Sequence, residues 1–322
     1  MQKFLNPRND VAFKRLFGTE KNKEILIALV NAVLGNQFHQ PIVDVSFLKT
    51  YQDPEHKARK QSIVDVLCKD QDGCLYIIEM QVASTDGFQE RAQYYACKAY
   101  ISQMNRGDTY ENLKKVIFLA FVDFDIFPNK TDYKSEHITL DKKTHEHDLD
   151  KLSFTFVDLN KFGKSITKPI EALSLEEKFY YFLYNADDIS VSELEKLESS
   201  EEILSKAFKE LISVYWTDEE IEKYEDYEKG IRDNKAAMKH AMKHAINNAY
   251  ESGLEEGIKE GMEKGVKEGM EKGIKEGMEK GVKEGIKNLI INMQKNGASI
   301  EFIQKTTNLQ QKEIDEILQP HR

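Results

Sequence analysis

Residues 62–84, the most informative segment of the chain, read SIVDVLCKDQDGCLYIIEMQVAS. It holds two runs rich in β-branched and other apolar residues, which favour strands. The residues between the two runs end in an Asp-Gly step, which is a strong signal for a β-hairpin. We therefore predict two strands, over residues 61–68 and 74–82, joined by a turn centred near Gln71 and Asp72.

A charged residue interrupts each apolar run: Asp65 lies in the first and Glu79 in the second. Burying a carboxylate is unfavourable unless it is paired or bound to a metal. With this turn, Asp65 lies almost opposite Glu79, and Gln81 shares the face of Glu79 because strand side chains alternate with period two. We expect two carboxylates and an amide to converge on one side of the sheet.

Two interpretations of this convergence stay open. In the first, the carboxylates form ion pairs at the sheet edge, for example with Lys60, Arg91 or Lys98. In the second, the hard oxygen ligands hold Mg²⁺ or Mn²⁺, an arrangement suited to phosphodiester cleavage. The spacing and the surroundings of the two acids favour the second interpretation.

Helical and strand-like patterns alternate around the hairpin over the first 160 residues. The first helix is capped by Asn9 or Asp10. The predicted fold class is α/β, with a mixed sheet that carries helices on each side. Further predicted elements are helices over residues 23–34 and within 85–105, and strands over 42–48, 116–122 and 154–159.

Three blocks of sequence, taken in this order, resemble a known family. They are NDVAFKRLFG at residues 9–18, Asp65 followed by Glu-Met-Gln at 79–81, and RAQYY at 91–95. The second block resembles the PD-(D/E)XK nuclease signature, and the three together are similar to the Rpn family of recombination-promoting nucleases and transposases. The resemblance covers about residues 5–130 and extends more loosely to the glycine-rich repeat described below. It implies a PD-(D/E)XK nuclease-like fold.

The resemblance also implies roles for individual residues. Asp65 and Glu79 become the metal ligands, and Gln81 takes the place that lysine usually holds. This departs from the general nuclease pattern, although a Glu-x-Gln form is usual in this family. Because glutamine cannot supply positive charge or act as a base, Gln81 would orient the attacking water or the phosphate, and Mg²⁺ or Mn²⁺ would lower the pKa of the water.

Further residues are candidates for the same site. A third acid from the first helical region is common in such sites, and Asp10 or Glu24 would supply it; helix capping and surface solvation are the respective alternatives. Arg91 would contact phosphate or balance the two acids. Lys14 and Arg15 would steer DNA, or would only solvate a helix.

The overall charge is unevenly distributed. The 322 residues include 46 Lys and Arg against 56 Asp and Glu, a net charge of −10 that argues against a general nucleic-acid-binding coat. Residues 1–60 hold ten basic and six acidic residues, a local +4, whereas residues 171–230 hold six and eighteen, a local −12. The acidic segment is interpreted as kept away from DNA, or as a DNA-mimicking brake.

The three cysteines fit a reduced chain, because they show neither metal-ligand spacing nor a disulfide framework. The first residues lack the apolar core of a signal peptide, and nowhere are there eighteen apolar residues in a row. We therefore expect a cytoplasmic protein without a membrane segment.

A glycine repeat dominates the helical C-terminal part. Nine glycines recur at every fourth residue from Gly253 to Gly285, each followed by an apolar residue. In a helix they cost about 7–9 kcal/mol relative to alanine, whereas the Glu-to-Lys pairs spaced by four residues contribute about 2–3.5 kcal/mol. Two interpretations stay open: close helix association that gives a homo-oligomer, or a low-complexity linker.

Short helices predicted over residues 288–295, 299–305 and 309–318 would form a helix-turn-helix-like tail. The tail is not notably basic, so packing or self-association is favoured over DNA binding. The predicted domains are a nuclease-like core at 1–165, an acidic helical region at 166–250, a charged glycine repeat at 251–288 and a small helical tail at 289–322.

The leading hypothesis is a Mg²⁺-dependent DNA endonuclease linked to recombination, transposition or defence against foreign DNA. The alternative is a catalytically inactive nuclease-fold protein that acts as an oligomeric interaction module. A Mn²⁺ titration discriminates between them, because an inactive site shows no Asp65-dependent binding. A further hypothesis concerns regulation. Six of the nine methionines follow residue 237, so internal initiation of translation would yield a short C-terminal fragment that joins the oligomer. Detection of a single translation product would contradict this hypothesis.

Overall fold

The computed structural model describes residues 4–38, 40–52 and 62–319. The chain divides into two compact units, Met1–Lys235 and Ala236–Arg322. The strands are β1 (Val45–Phe47), β2 (Tyr51–Gln52), β3 (Ser62–Ile63), β4 (Val66–Asp70), β5 (Leu75–Gln81), β6 (Val116–Val122), β7 (Lys134–Ile138) and β8 (Leu152–Asp158). The α-helices are α1 (Asp10–Phe17), α2 (Lys23–Leu34), α3 (Phe88–Ile101), α4 (Leu159–Ser165), α5 (Leu175–Asn185), α6 (Val191–Ser200), α7 (Glu202–Glu210), α8 (Asp218–Lys295), α9 (Ile300–Thr307) and α10 (Gln311–Leu318).

Six strands form one mixed sheet in the order β1-β4-β5-β6-β8-β7, and β2 pairs with β3 in a separate two-stranded sheet. The central strands β5, β6 and β8 are parallel neighbours, whereas β1, β4 and β7 pair antiparallel. Helix α3 follows β5 and leads into β6. The predicted α/β class, a mixed sheet with flanking helices followed by a helical C-terminal region, is confirmed.

Strand β6 shows why the sequence forms a sheet covered on both faces. All seven of its residues are buried. Leu119 and Phe121 belong to the hydrophobic cluster that contains residues of α1 and α2, whereas Phe118 and Ala120 belong to the cluster that contains residues of α3. A strand packed on both faces requires the continuous apolar run that the sequence shows.

The hairpin differs from its prediction at one point. The register pairs Val66 with Ile78, which places Asp65 opposite Glu79 as expected. However, the strand predicted over 61–68 is not continuous in its described part, residues 62–68, because the chain leaves the large sheet at Asp65 and Ser62–Ile63 form β3 of the small sheet; Gln61 lies outside the described residues. The interruption is a property of the candidate site described below.

The helices after β8 belong to the same compact unit as the sheet. Capping boxes start α5 and α6, in which Ser174 and Ser190 exchange hydrogen bonds with Glu177 and Glu193. Leu204, Ala207 and Phe208 of α7 are fully buried in the cluster that also contains residues of α1 and α2. The acidic segment at 171–230 is therefore largely a folded part of this unit.

Helix α8 is continuous over 78 residues. The prediction of a separate helix over residues 288–295 is wrong, because these residues form the last two turns of α8. In the C-terminal unit, Ile290 packs with Ile303 of α9 and with Ile314 and Leu318 of α10. No helix in the described ranges has both the length and the apolar character that crossing a bilayer requires.

Candidate active site

Asp65 and Glu79 lie side by side, where β4 begins and β5 nears its end. Oε1 of Glu79 accepts a hydrogen bond from the Asp65 backbone N–H at 3.3 Å, and Oδ2 of Asp65 accepts one from the Met80 backbone N–H at 2.9 Å. Each carboxylate thus satisfies a backbone donor that a regular strand would pair with a carbonyl. The chain bends at Asp65 because two side chains replace the ladder there.

Gln81 is held on both sides. Its Nε2 donates to Oε2 of Glu79 at 3.2 Å, and its Oε1 accepts from Nη2 of Arg91 at 2.7 Å. The Arg91 guanidinium also lies 4.9 Å from the centre of the Phe88 ring. Gly87, with a φ of 75°, turns the chain from β5 into α3 and so sets the position of Arg91. The amide of Gln81 therefore has a fixed orientation.

Helix α1 supplies a cation to the same place. Nζ of Lys14 lies 2.7 and 2.9 Å from the two carboxylate oxygens of Asp10 and 3.7 Å from Oδ1 of Asp65. Asp10 and Lys14 are one helical turn apart, so they share a face of α1. The structure therefore brings together six residues predicted from the sequence, which we call the acid–base cluster: Asp10, Lys14, Asp65, Glu79, Gln81 and Arg91.

The pKa values of two carboxyls of this cluster, Asp65 and Glu79, are strongly raised. Burial raises the pKa of Asp65 to about 7, and the neighbouring Asp10 adds to the rise. Burial also raises the pKa of Glu79, to about 8, and the Asp65 carboxylate adds to it. Lys14 opposes both shifts, but it does not cancel them. Desolvation and like charge both disfavour ionisation. The neighbouring cations of the protein therefore do not fully stabilise the ionised forms of Asp65 and Glu79.

Contacts from the start of α8 complete the surroundings of the cluster. Nδ2 of the buried Asn9 donates to the Tyr224 carbonyl at 3.1 Å and to Oε1 of Glu228 at 2.9 Å. Between these two residues, Tyr227 is half-buried, and burial with the nearby carboxylates raises its pKa to about 12. The helical spacing of Tyr224 and Tyr227 within an acidic stretch is typical of a helix face that packs against another element. The sequence does not indicate that this element is the start of α1.

Arg15 does not join the cluster, although it follows Lys14. Its guanidinium pairs with Glu210 at 3.2 Å and with Glu220 at 2.6 Å, and it lies 4.8 Å from the centre of a Trp216 ring. These contacts hold α1 against the helical region. We therefore exclude Arg15 from the candidate DNA contacts.

Glu24 does not contact the acid–base cluster either. Its side chain is exposed on α2 and pairs with Lys206 of α7. Of the two candidates for a third acid, only Asp10 is beside Asp65. The cation paired with Asp65 is Lys14, which the ion-pair interpretation did not name, and Lys60 lies outside the described residues.

Residues 7–241 match the model of a family described as PD-(D/E)XK nuclease family transposase. The chain belongs to this family. The match includes every residue of the acid–base cluster and ends before the glycine repeat. Family membership confirms the resemblance drawn from the three sequence blocks, and it supports a nuclease- or transposase-like function. No curated protein and no solved structure gave a match.

The cluster of this family member offers only oxygen ligands to a metal. Among the described residues, no group of three or more His, Cys, Asp or Glu side chains is placed to hold an ion by itself. Asp65 and Glu79 are two, and Mg²⁺ commonly takes one or two protein carboxylates and fills its other positions with water and phosphate oxygens. The three carboxylates also outnumber the two cations, Lys14 and Arg91. The residues therefore fit a hard divalent cation.

Proposed function

We propose that this chain is a Mg²⁺- or Mn²⁺-dependent endonuclease that hydrolyses phosphodiester bonds in DNA. The observation that supports this most is the pair formed by the buried Glu79 and by Asp65, whose side chain is 12 % exposed, because burial disfavours the ionised form of both carboxyls even with Lys14 beside them. Family membership supports DNA as the substrate class. Cleavage of DNA that a chelator abolishes would test the proposal. If the protein shows no Asp65-dependent Mn²⁺ binding, the inactive interaction module is the better account.

Each residue of the acid–base cluster would have a different role. Asp65 and Glu79 would hold the metal, which when bound polarises the phosphate and lowers the pKa of a water molecule. Gln81 fixes the Glu79 carboxylate through the hydrogen bond from Nε2. Arg91 fixes Gln81 and, we propose, binds a phosphate oxygen through its other terminal nitrogen.

Replacing Arg91 with lysine is expected to slow cleavage by about 10–100-fold, the equivalent of one hydrogen bond to a charged group. Lysine keeps the charge but lacks the planar fork that reaches Gln81 at 2.7 Å. Single-turnover cleavage rates would measure the effect. The matched control is Arg106→Lys, at an exposed position, for which no change is expected. A rate equal to that of the wild type in Arg91→Lys would show that Arg91 does not position Gln81.

We also propose that the chain forms a homo-oligomer through the glycine repeat. The apolar residue after each glycine from 253 to 281 is exposed in the single chain. A Cβ added at any of the nine glycines meets no atom within 4 Å, so the backbone surface along this column is open. Close approach of a second helix would cover both features.

Gly265→Ala, Gly269→Ala and Gly273→Ala together are expected to change two properties in opposite directions. The helix should become more stable, by about 0.8–1 kcal/mol for each substitution. The oligomer should become weaker and dissociate at a higher protein concentration than that of the wild type, because three methyl groups block the approach of the second helix. Circular dichroism and mass photometry would follow the two effects. Gly230→Ala, on α8 outside the repeat and equally open, is the control. An unchanged oligomer mass in the triple variant would contradict the proposed contact.

A further inference from the structure

We propose that Lys14 is a catalytic residue of this site and supplies the positive charge that the general nuclease pattern places at position 81. This inference rests on the proposed function and adds to it. The position that lysine holds in the general pattern is occupied by Gln81 in this chain, and a cation reaches the acids from a different element, α1. In this account, Lys14 binds a non-bridging oxygen of the phosphate under attack, and Asp10 is its positioning residue.

The ammonium group of Lys14 lies beside the Asp65 carboxylate. Asp10 holds Nζ of Lys14 through both carboxylate oxygens, at 2.7 and 2.9 Å. This grip directs Nζ to a position 3.7 Å from Oδ1 of Asp65. Lys14 also stabilises the ionised forms of Asp65 and Glu79 electrostatically. Lys14 therefore lies where a cation acts on both proposed metal ligands.

Lys14 retains the capacity to bind a substrate. An ammonium has three N–H donors; Asp10 accepts a hydrogen bond from Nζ at Oδ2 and forms an ion pair with it at Oδ1. The distance of 3.7 Å to Asp65 is longer than a hydrogen bond, so the third donor is not committed there. The side chain is 38 % exposed, which lets a phosphate reach it. Arg91, the other cation of the cluster, donates to Gln81 through one terminal nitrogen and keeps the other for phosphate, so the two cations would act together.

The fold holds Lys14 rigidly in place. Asn9 caps α1 by accepting the Val11 N–H, and its Nδ2 joins the helix start to α8. Phe13 and Phe17 of the same helix are fully buried in the core. The cap and the buried face fix the backbone of α1, and the contacts with Asp10 orient the ammonium, as a residue acting on a transition state requires.

Hydrolysis of the phosphodiester forms a bond from water oxygen to phosphorus and breaks the bond from phosphorus to the leaving sugar oxygen. A proton of the attacking water passes to solvent, and the leaving oxygen takes one from solvent. Negative charge grows on the non-bridging oxygens and on the leaving oxygen as this occurs. Lys14 donates a hydrogen bond to a non-bridging oxygen and keeps its proton throughout. Its contribution is electrostatic, so it should affect kcat more than KM.

Four variants of the full-length chain test the assignment: Lys14→Gln, Lys14→Arg, Gln81→Lys and the double variant Lys14→Gln with Gln81→Lys. Single-turnover cleavage by Lys14→Gln should fall by about 100–1,000-fold, as for loss of one preorganised donor, with KM changed by less than about threefold. The double variant should recover at least about tenfold of this loss, because lysine returns to the position of the general pattern. The control is Lys23→Gln, which removes a lysine paired at 2.7 Å with Asp44 on the same basic segment and should cleave like the wild type.

A second measurement does not depend on cleavage. In calorimetric titration at a pH above the pKa values of both carboxyls, Lys14→Gln should bind Mn²⁺ several-fold more tightly, because a competing cation has left the carboxylates. Lys14→Arg and Lys23→Gln should match the wild type. The assignment is overturned if Lys14→Gln cleaves like Lys23→Gln, or if Gln81→Lys restores nothing to a folded double variant. If the wild type itself cleaves no DNA, the proposed function fails, and an unchanged Mn²⁺ affinity in Lys14→Gln then also removes Lys14 from the site.

Discussion

Asp65→Asn is expected to raise the melting temperature of the metal-free protein at pH 8 and to weaken Mn²⁺ binding by at least about 100-fold. Near pH 8 the Asp65 carboxylate is largely ionised, because its pKa is raised to about 7. It is then a desolvated charge beside two other carboxylates. Asparagine removes that charge and leaves the metal with one ligand.

The asparagine side chain suits the remaining hydrogen bonds. Its oxygen can still accept the Met80 N–H, which Asp65 accepts at 2.9 Å. Its amide can donate toward Asp10, where two carboxylates otherwise repel each other. For a unit of this size, each 1 kcal/mol gained raises the melting temperature by about 2–4 °C. Differential scanning calorimetry and a Mn²⁺ titration would measure the two effects.

Asp44→Asn is the matched control for this prediction. Asp44 is exposed and pairs with Lys23 at 2.7 Å, which lowers its pKa. Neutralising it should leave Mn²⁺ binding unchanged and should leave the melting temperature the same or slightly lower. An Asp65→Asn protein that melts lower than Asp44→Asn and binds Mn²⁺ like the wild type would show that Asp65 is a structural acid.

The affinity of the wild type for Mn²⁺ is expected to rise steeply as the pH passes through about 7 and about 8, the pKa values of Asp65 and Glu79, and to level off only above that range. Carboxylates bind the metal in their ionised form, but the folded protein keeps protons on Asp65 and Glu79 up to pKa values of about 7 and 8. Below these values, binding must release protons, and the affinity rises by up to about tenfold per pH unit for each proton released.

The same shifts set the stability of the metal-free protein. A carboxyl whose pKa is higher in the folded state than in the unfolded state stabilises the fold below about pH 4, and this contribution is lost as the pH rises through 7 to 8. The stabilisation by Mn²⁺ should therefore be largest at pH 8.5 and small at pH 6. Calorimetry in buffers with different ionisation enthalpies would count the protons. Zero proton release at pH 6, with a constant affinity from pH 6 to 8.5, would contradict the assignment of both ligands.

Much of the sheet could be predicted from local pattern alone. The continuous apolar run at 116–122 coincides with β6, and the helix predicted at 23–34 coincides with α2. The alternation of side chains in the hairpin was enough to place Asp65 opposite Glu79. Strand β7 was not predicted, because its sequence, KSEHI, is that of a half-exposed edge strand without an apolar run.

The remaining features of the site depend on contacts that no local pattern encodes. The interruption at Asp65 follows from a side chain accepting a backbone hydrogen bond from the neighbouring strand. Sequence composition gave Lys14 and Arg15 the same role, yet Lys14 faces Asp65 and Arg15 faces Glu210. The contact of Asn9 with Tyr224 joins residues 215 positions apart. Helical packing, rather than residue type, separates these roles.

Cleavage of supercoiled plasmid DNA by the purified protein tests whether the acid–base cluster is a nuclease site. The reactions contain Mg²⁺ or Mn²⁺, with chelator in a parallel series, and Glu79→Gln serves as the site variant. We predict nicked and linear products that the chelator abolishes and that folded Glu79→Gln does not form. Intact plasmid with the wild type, or equal cleavage by wild type and Glu79→Gln, would contradict a metal-dependent nuclease site at Asp65 and Glu79.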